Sequence, residues 1–375
     1  MAQQPGAQAD AGETRPVCVD DLRQSAAARL APAVWDFVAG GSGTESTLDA
    51  NRTALDSVSL VPRVLAGIEK TDTGARLLGT SAALPLAVAP MAYQCLLHPE
   101  GERAAAQGAL AAQVPFVVST ISSRSLEEIA EVGAPLWFQL YWLRDRGRMT
   151  ELIRRAEQAG CQALMVTVDV PIMGRRLRDL RNEFTLPDWI RCANLEPDGL
   201  SAAHAHRPSE SAVAAHTSIA FDSTFGWSDV EWIRAQTRLP LVIKGVLDPR
   251  DAETAVRLGA DAVVVSNHGG RQLDGAPASV SALPWVVEAV GGQCQVLMDS
   301  GVRSGTDILR ALALGADGVL IGRPVLWGLS TAGARGVAQV LSILRTELEE
   351  ALLLSGCADL EAARTLRTLV AGARG

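Results

Sequence analysis

The chain has 375 residues, 48 % of them hydrophobic, which suits one large β/α barrel or two ordinary domains. Its formal net charge of −8 argues against a nucleic-acid-binding protein, which needs a basic surface. The six cysteines form no CxxC pair, so neither a zinc site nor a disulfide framework is indicated.

No secretory signal or membrane span is predicted. No apolar run reaches transmembrane length, and residues 1–12 show no basic segment followed by an apolar one. We therefore expect a cytoplasmic protein without a membrane partner. Residues 1–16 are rich in Gln, Ala and Gly and are expected to be disordered, while residues 17–375 are expected to form a single domain.

Helical patterns flank the central part of the chain. Residues 19–38 predict one helix, which Gly40 and Gly41 end, and residues 44–55 predict a second. We expect both to pack beside or under the main fold. Residues 330–355 predict a long C-terminal helix that would cover the bottom of the fold.

Between these segments, apolar strands alternate with helices. The strands are predicted at residues 84–90, 115–120, 135–141, 163–170, 239–246, 261–266, 295–299 and 318–322. Helices are predicted between them at residues 101–113, 126–132, 148–159, 249–258, 281–290 and 306–314. Eight such units predict an α/β fold, a (β/α)8 TIM barrel. A doubly wound open sheet is the alternative, but no GxGxxG motif follows the first strand.

One connection is much longer than the others: residues 174–228 follow the fourth strand. A long loop over the carboxyl rim of a barrel is commonly a lid. We expect a structured first part and a mobile stretch at residues 200–216; a plain disordered insertion is the alternative. The histidines of this segment, His204, His206 and His216, lack the spacing of metal ligands, so no metal is expected.

The most informative string is Ser266-Asn267-His268-Gly269-Gly270-Arg271-Gln272-Leu273-Asp274-Gly275, which directly follows the sixth strand. His268 can exchange a proton near neutral pH, and Arg271 offers a planar fork of donors suited to a carboxylate. The two glycines let a flat ligand approach the backbone. A base and a carboxylate clamp in one loop suggest chemistry on a small carboxylic acid. A histidine that merely caps a turn is the alternative.

Other predicted strands also end in polar groups, which is the layout of a TIM-barrel active site. Asp169 can accept a hydrogen bond from His268 and stabilise its imidazolium. Lys244 can stabilise a reduced, anionic ring by its positive charge. Residues 299–305 precede a helix, and the Gly322-Arg323 pair follows the last strand. A helix N-terminus together with an arginine binds a phosphate well.

Several of these motifs resemble one known family. They are Pro90-Met91-Ala92, Phe138-Gln139-Leu140-Tyr141, Thr167-Val168-Asp169, Gly174-Arg175-Arg176, Lys244-Gly245, the 266–274 string, residues 299–305 and Gly322-Arg323. Together they resemble the FMN-dependent L-2-hydroxy acid oxidases and dehydrogenases over about residues 19–356. The resemblance implies FMN as cofactor and oxidation of an L-(S)-2-hydroxy acid to the 2-oxo acid, with O2 reduced to H2O2. It also implies a homo-oligomer, as a tetramer.

The resemblance assigns roles residue by residue. It implies that FMN is bound by Pro90, Met91, Ala92, Ser119, Gln139, Thr167, Lys244, Ser266, Asp299, Ser300, Gly301, Val302, Arg303, Gly322 and Arg323. It implies that His268 is the catalytic base and that Asp169 assists it. Arg271 and Arg176 would bind the substrate carboxylate, and Tyr141 would contact the substrate hydroxyl. Whether His268 first takes the hydroxyl proton or the α-proton is left open.

One position departs from the family pattern. Phe37 stands where the family usually has a tyrosine that helps to bind the carboxylate, so the pocket gains apolar surface and loses a donor. The stretch at residues 35–45 resembles the 4-hydroxymandelate oxidase branch of the family, which points to an aryl substrate such as mandelate or 4-hydroxymandelate. The alternatives are an oxidase of lactate or glycolate, another class of FMN-barrel enzyme acting on phosphorylated substrates, and a flavin-binding scaffold without turnover.

Overall fold

The computed structural model describes residues 15–195 and 221–370, and its central feature is a closed barrel of eight parallel strands. The strands are β1 (Leu86–Val88), β2 (Phe116–Ser119), β3 (Leu136–Leu140), β4 (Ala163–Thr167), β5 (Leu241–Val246), β6 (Ala262–Val265), β7 (Gln295–Met298) and β8 (Gly318–Ile321). Each pairs with its neighbours in chain order, and β8 pairs with β1. Each predicted strand overlaps one of them, so the predicted (β/α)8 barrel is confirmed.

The helices occupy the connections and the two ends. They are α1 (Val19–Arg29), α2 (Pro32–Ala39), α3 (Ser46–Ser57), α4 (Gly101–Ala111), α5 (Leu126–Ala130), α6 (Arg146–Gln158), α7 (Leu177–Arg181), α8 (Trp227–Gln236), α9 (Pro249–Arg257), α10 (Ser279–Val290), α11 (Gly305–Ala313), α12 (Arg323–Ser355) and α13 (Leu360–Arg364). Short strands also pair outside the barrel, at Val58–Leu60 with Thr368–Val370 and at Ala75–Leu77 with Thr80–Ala82. No helix in the described ranges is both long enough and apolar enough to cross a membrane.

The strand register positions the polar residues that end the strands. Ser119 of β2 lies beside Gln139 of β3, and Thr167 of β4 lies beside Lys244 of β5. All the strands are parallel, so their carboxyl ends meet at one rim. The barrel interior below this rim is filled by apolar side chains, including Trp137, which is fully buried.

The N-terminal part differs from the prediction of one helix over residues 19–38. The helix ends at Arg29, and α2 begins at Pro32 as its first residue. Proline has no backbone N–H and disfavours a helical conformation in the residue before it. The first helix therefore ends before Pro32, and a new helix starts there. The expectation that this part lies beside or under the barrel holds for α1, which packs against α12, but is wrong for α2, whose Phe37 and Val38 line a cavity at the carboxyl rim.

The C-terminal helix does not cover the bottom of the barrel, contrary to our expectation. It starts directly after β8 and packs against α1, α4 and α11, in the outer ring of helices. The hairpin at residues 75–82 closes the bottom instead, because Leu77 and Leu78 join the cluster of side chains inside the barrel. Gln295 at the start of β7 holds the hairpin by accepting a hydrogen bond from the Leu78 amide at 2.8 Å.

The long connection after β4 contains a helix that the sequence analysis missed. This helix, α8, lies at the end of the predicted lid segment and supplies the connection to β5. The first part of the segment contains α7, as expected for a structured start. The predicted mobile stretch 200–216, its three histidines and residues 1–14 of the predicted disordered N-terminus lie outside the described residues.

We expect the Leu77→Ala substitution to lower the free energy of unfolding by about 2–5 kcal/mol, since it leaves a cavity at the base of the barrel. Leu77 is 1 % exposed. The control is Leu354→Ala on α12, where the side chain is 79 % exposed and the expected change is below about 0.5 kcal/mol. Urea unfolding measures both. Equal losses in the two variants would mean that the hairpin is not part of the barrel core.

Candidate active site

A cavity opens at the carboxyl rim of the barrel. Its volume is about 1230 Å³ including the open mouth. Most of the predicted site residues line it: Phe37, Pro90, Met91, Ala92, Ser119, Tyr141, Arg176, Lys244, His268, Arg271, Asp299, Ser300, Gly301, Val302, Arg303, Gly322 and Arg323. The predicted residues that do not line it are Gln139, Thr167, Asp169 and Ser266. These four lie behind the lining and reach it through hydrogen bonds, so one site collects side chains from all eight strand ends.

His268 and Asp169 form a pair at this rim. The Nδ1 atom of His268 lies 3.0 Å from Oδ1 of Asp169, and both side chains are largely buried. Burial on its own raises the pKa of Asp169, but the charge and hydrogen bond of His268, with the nearby Lys244, hold the pKa of this carboxyl below its ordinary value. The carboxylate is therefore ionised at neutral pH and oriented towards the imidazole. A base with such a partner can take up a proton and be stabilised as a cation.

The backbone around His268 adopts a conformation that side chains rarely tolerate. His268, Gly269 and Gly270 have φ values of 57°, 66° and 72°, three left-handed residues in succession. Two hydroxyls hold the start of this turn: Ser266 Oγ accepts from the His268 amide at 3.0 Å, and Ser300 Oγ accepts from the Gly269 amide at 2.9 Å. The strained turn is thus pinned to β6 and β7.

Two arginines flank the ring of Phe37. The guanidinium of Arg271 lies 5.4 Å from the ring centroid and that of Arg176 lies 5.9 Å from it. Arg271 also donates to the carbonyls of Phe37 and Gly40, at 2.9 and 2.7 Å. Burial, then the like charges of Arg176 and Arg323, lower the pKa of Arg271 well below its usual range. A partly buried positive charge that its neighbours repel favours an anionic ligand.

Lys244 is buried in the cavity wall and its charge is balanced. Its Nζ lies 3.1 Å from Oδ2 of Asp299 and donates to Ser266 Oγ at 3.0 Å. Burial alone lowers the pKa of Lys244, but Asp299 and then Asp169 raise it above its ordinary value. The lysine therefore stays charged. Through Ser266, it is also connected to the amide of His268.

Three polar side chains form a layer beneath the cavity. Gln139 donates from Nε2 to Thr167 Oγ1 at 3.0 Å and accepts from Ser119 Oγ at 3.1 Å. All three are at most 3 % exposed. A buried, oriented amide with hydroxyl neighbours suits the heteroatoms of a planar ring.

The helix N-terminus that follows residues 299–305, predicted to bind a phosphate, has its amides occupied by carboxylates of the protein. The amides of Arg303 and Ser304 before α11 donate to the carboxylate of Asp307, and the amide of Gly305 donates to Glu347 at 2.7 Å. These amides are therefore not available to a phosphate. The N-terminus of α12 has no side-chain cap, and its first residue, Arg323, lines the cavity. This helix start is the better anion site.

Two arginines complete this anion site. Burial, then Arg323 and Arg52, lower the pKa of Arg303 to about 9. Burial, then Arg176, lowers the pKa of Arg323 to about 10. Among the described residues neither forms an ion pair with a carboxylate; Arg323 donates to the carbonyls of Val38, Gly40 and Gly269. A phosphate would supply the missing negative charge. Together with the buried amide layer and Lys244, this donor set fits FMN.

Sequence reasoning missed several lining residues. Phe221 stacks on Tyr141 with ring centroids 4.6 Å apart, and Met173, Tyr93 and Leu326 complete the apolar wall. Phe221 lies at the end of the long insertion, where no motif marks it. It enters the site because an isolated β-bridge pairs it with Leu143 after β3.

A family model of FMN-dependent dehydrogenases matches residues 26–368 of this chain. The chain belongs to the FMN-dependent dehydrogenase family. The family and the FMN cofactor predicted from the sequence are therefore confirmed, and the predicted 2-hydroxy acid oxidase class is confirmed by the relatives that follow.

Relatives of this FMN-dependent dehydrogenase cover nearly its whole length. The 4-hydroxymandelate oxidase of Amycolatopsis orientalis is 53 % identical over 94 % of this chain and 98 % of that protein. The L-lactate oxidase of Nostoc sp. is 47 % identical over 92 % and 96 %, and human 2-hydroxyacid oxidase 1 is 41 % identical over 92 % and 95 %. A crystal structure of mandelate oxidase with (S)-4-hydroxymandelic acid matches with a TM-score of 0.92, covering 95 % of this chain and 99 % of that chain.

We expect the Arg303→Met substitution to weaken FMN binding by about 10- to 100-fold, because a charge-assisted hydrogen bond contributes about 1.5–3 kcal/mol. Titration of the apoprotein, followed by the quenching of flavin fluorescence, measures the affinity. Riboflavin, which lacks the phosphate, is the matched control and should bind both forms alike. An equal loss for riboflavin would contradict the assignment of Arg303 to the phosphate.

Proposed function

We propose that this enzyme oxidises an aryl L-(S)-2-hydroxy acid, such as mandelate or 4-hydroxymandelate, to the 2-oxo acid, and that O2 accepts the electrons and forms H2O2. The observation that carries the proposal is the His268–Asp169 pair at 3.0 Å beside two arginines in one cavity. A base next to a carboxylate-binding pair is what a 2-hydroxy acid requires. FMN, when bound, supplies the two-electron acceptor for this oxidation.

His268 is proposed as the base. Because its Nδ1 faces Asp169, Nε2 is the nitrogen left to accept a proton from the substrate. The imidazolium that forms is stabilised by the ionised Asp169, in the manner of a base and its orienting carboxylate. Either the hydroxyl proton or the α-proton can be the first to reach Nε2.

Arg271 and Arg176 are proposed to bind the substrate carboxylate. Both line the cavity, and burial is the main cause that lowers the pKa of each. A substrate carboxylate would compensate these charges and fix the α-carbon near His268. Tyr141 is proposed to hydrogen-bond the substrate hydroxyl. Burial, then the charge of Asp169, raises its pKa to about 12, so it stays a neutral donor.

The apolar part of the cavity supports the proposal that the substrate carries an aryl side chain. Phe37 offers no hydroxyl to the carboxylate, and Phe221, Met173 and Leu97 add apolar surface. The relative with 53 % identity is named 4-hydroxymandelate oxidase, and a matching crystal structure contains (S)-4-hydroxymandelic acid. A small aliphatic substrate is the second candidate, favoured by the 47 % identity to L-lactate oxidase. O2 as acceptor is supported by the names of these oxidases.

The deciding test is anaerobic mixing of the FMN-loaded enzyme with (S)-mandelate, L-lactate and glycolate, followed by the flavin absorbance. We expect mandelate to bleach the flavin fastest and air to restore the colour. His268→Ala should retain FMN and slow the bleaching by about 10²- to 10⁴-fold, the usual contribution of a general base. Faster bleaching by lactate would favour the aliphatic candidate. Unchanged bleaching in His268→Ala would refute the base assignment.

We expect Phe221→Ala to weaken apparent binding of mandelate by about 10-fold or more, because burying an aromatic side chain contributes about 1.5–3 kcal/mol. Lactate binding should change little. Phe225→Ala is the matched control: Phe225 stacks on Trp142 at 4.8 Å, as Phe221 does on Tyr141, but does not line the cavity. Steady-state KM values for both substrates check this. The same change in the Phe225 variant would exclude a direct contact with the aryl group.

The homotetramer is part of the proposal through the family resemblance, and the cytoplasmic location remains a prediction from the sequence. Light scattering of the purified protein tests the oligomeric state. The proposed division into a disordered residue range 1–16 and one domain from residue 17 is testable by limited proteolysis.

A further inference from the structure

The turn that carries His268 needs support from outside its own strand. Three successive left-handed residues begin with His268, and residues other than glycine are uncommon in this conformation. Ser266 and Asp169 hold its amide and its ring. Neither holds the backbone that follows. Ser300 holds the Gly269 amide, and Asn267 holds the amide after it, because its side chain accepts from the Gly270 N–H at 3.0 Å.

The side chain of Asn267 uses its full hydrogen-bonding capacity. Its Oδ1 accepts from the Gly270 amide and from Asn51 Nδ2 at 2.9 Å. Its Nδ2 donates to Asn51 Oδ1 at 2.7 Å and to the Pro277 carbonyl at 3.0 Å. An amide has two donors and one oxygen with two lone pairs, so every position is filled. Half of these partners belong to one residue, Asn51.

Asn51 lies on α3, more than two hundred residues away in the chain, and forms a reciprocal amide pair with Asn267. Asn51 is 1 % exposed and Asn267 is 4 % exposed. The reciprocal pair fixes which end of the Asn267 amide faces Gly270, because a flipped amide would place N–H against N–H. Asn51 Oδ1 also accepts from the amide of Ser279, at the start of α10, which fixes Asn51 itself.

We propose that Asn51 is a positioning residue for the reaction: it orients Asn267, and through Asn267 it holds the left-handed turn that presents His268. The inference rests on the proposed role of His268 as the base. Close packing supports it, because a Cβ on Gly270 would lie 2.7 Å from the backbone of Leu48, so α3 presses directly on the turn. Loss of Asn51 would leave one N–H of Asn267 and one lone pair of its Oδ1 without a partner, while the bonds to Gly270 and Pro277 would remain.

The catalytic base and the arginine that binds the carboxylate are held by different hydrogen bonds. Arg271 is held by its own hydrogen bonds to the carbonyls of Phe37 and Gly40. These bonds do not involve Asn51. Loss of the amide pair should therefore disturb proton transfer at His268 more than substrate binding.

The test is stopped-flow reduction of FMN-loaded Asn51→Leu by (S)-mandelate. Leucine has a similar size but forms no hydrogen bond. We expect the limiting reduction rate to fall by about 10- to 100-fold, as for a small misplacement of a catalytic group. The dissociation constant of the substrate should change by less than about threefold. Asn51→Ser, which keeps one hydroxyl, should lie between Asn51→Leu and the wild type and covers the case that Asn51→Leu does not fold.

The matched control is Ala50→Gly, which loosens the same turn of α3 but removes no hydrogen bond to the loop. It should keep the wild-type reduction rate. A second readout needs no substrate: amide exchange in the peptide covering residues 266–275 should be faster in Asn51→Leu and Asn51→Ser than in the wild type or Ala50→Gly.

Three results would overturn the proposal: a wild-type reduction rate in Asn51→Leu, an equal slowing in Ala50→Gly, or a loss that lies wholly in substrate affinity. If no 2-hydroxy acid reduces the wild-type flavin, the proposed function fails instead. Amide exchange then decides the role of Asn51 by itself: unchanged exchange in the variants overturns it, and faster exchange confined to them supports it.

Discussion

A cluster of positive charges, withdrawn in part from water, determines what this site can bind. Five cationic side chains meet at the carboxyl rim: Arg176, Lys244, Arg271, Arg303 and Arg323. Arg176 and Lys244 are buried and the other three are partly buried, and withdrawing such groups from water is unfavourable unless a negative partner is present. Asp299 supplies that partner for Lys244, at 3.1 Å. In the described ranges no carboxylate pairs with Arg271, Arg303 or Arg323, so the protein is built to receive two anionic groups, a cofactor phosphate and a substrate carboxylate.

The N-terminal segment offsets part of this charge before any ligand arrives. The carbonyls of Phe37, Val38 and Gly40, at the C-terminal end of α2, accept hydrogen bonds from Arg271 and Arg323. The last carbonyls of a helix have no partner within it and carry a partial negative charge. They also fix the direction of both guanidinium groups. The segment before the barrel is therefore part of the site.

The barrel and most of the site could be predicted from the sequence because both are local signals. Apolar runs mark the strands, and the residues that follow them face one rim. The sequence therefore predicts that His268, Asp169 and Lys244 belong to one site. What the sequence did not predict depends on contacts distant in the chain. Asn51 forms hydrogen bonds with Asn267, and Phe221 stacks on Tyr141, but no sequence pattern marks either pair. The hairpin at residues 75–82 likewise gives no sign in its residues that it closes the barrel.

The two carboxylate oxygens of Asp169 have different surroundings, and this difference affects how Asp169 interacts with His268. Its Oδ1 faces His268, while its Oδ2 is buried and lacks a hydrogen-bond partner among the described residues. An unpartnered carboxylate oxygen costs stability, and in return its negative charge is not shared with other donors. More of that charge then acts on the imidazole when it gains a proton. A second donor to Oδ2 would satisfy this buried oxygen, but it would also share the negative charge that Asp169 now directs at the imidazole through Oδ1 alone.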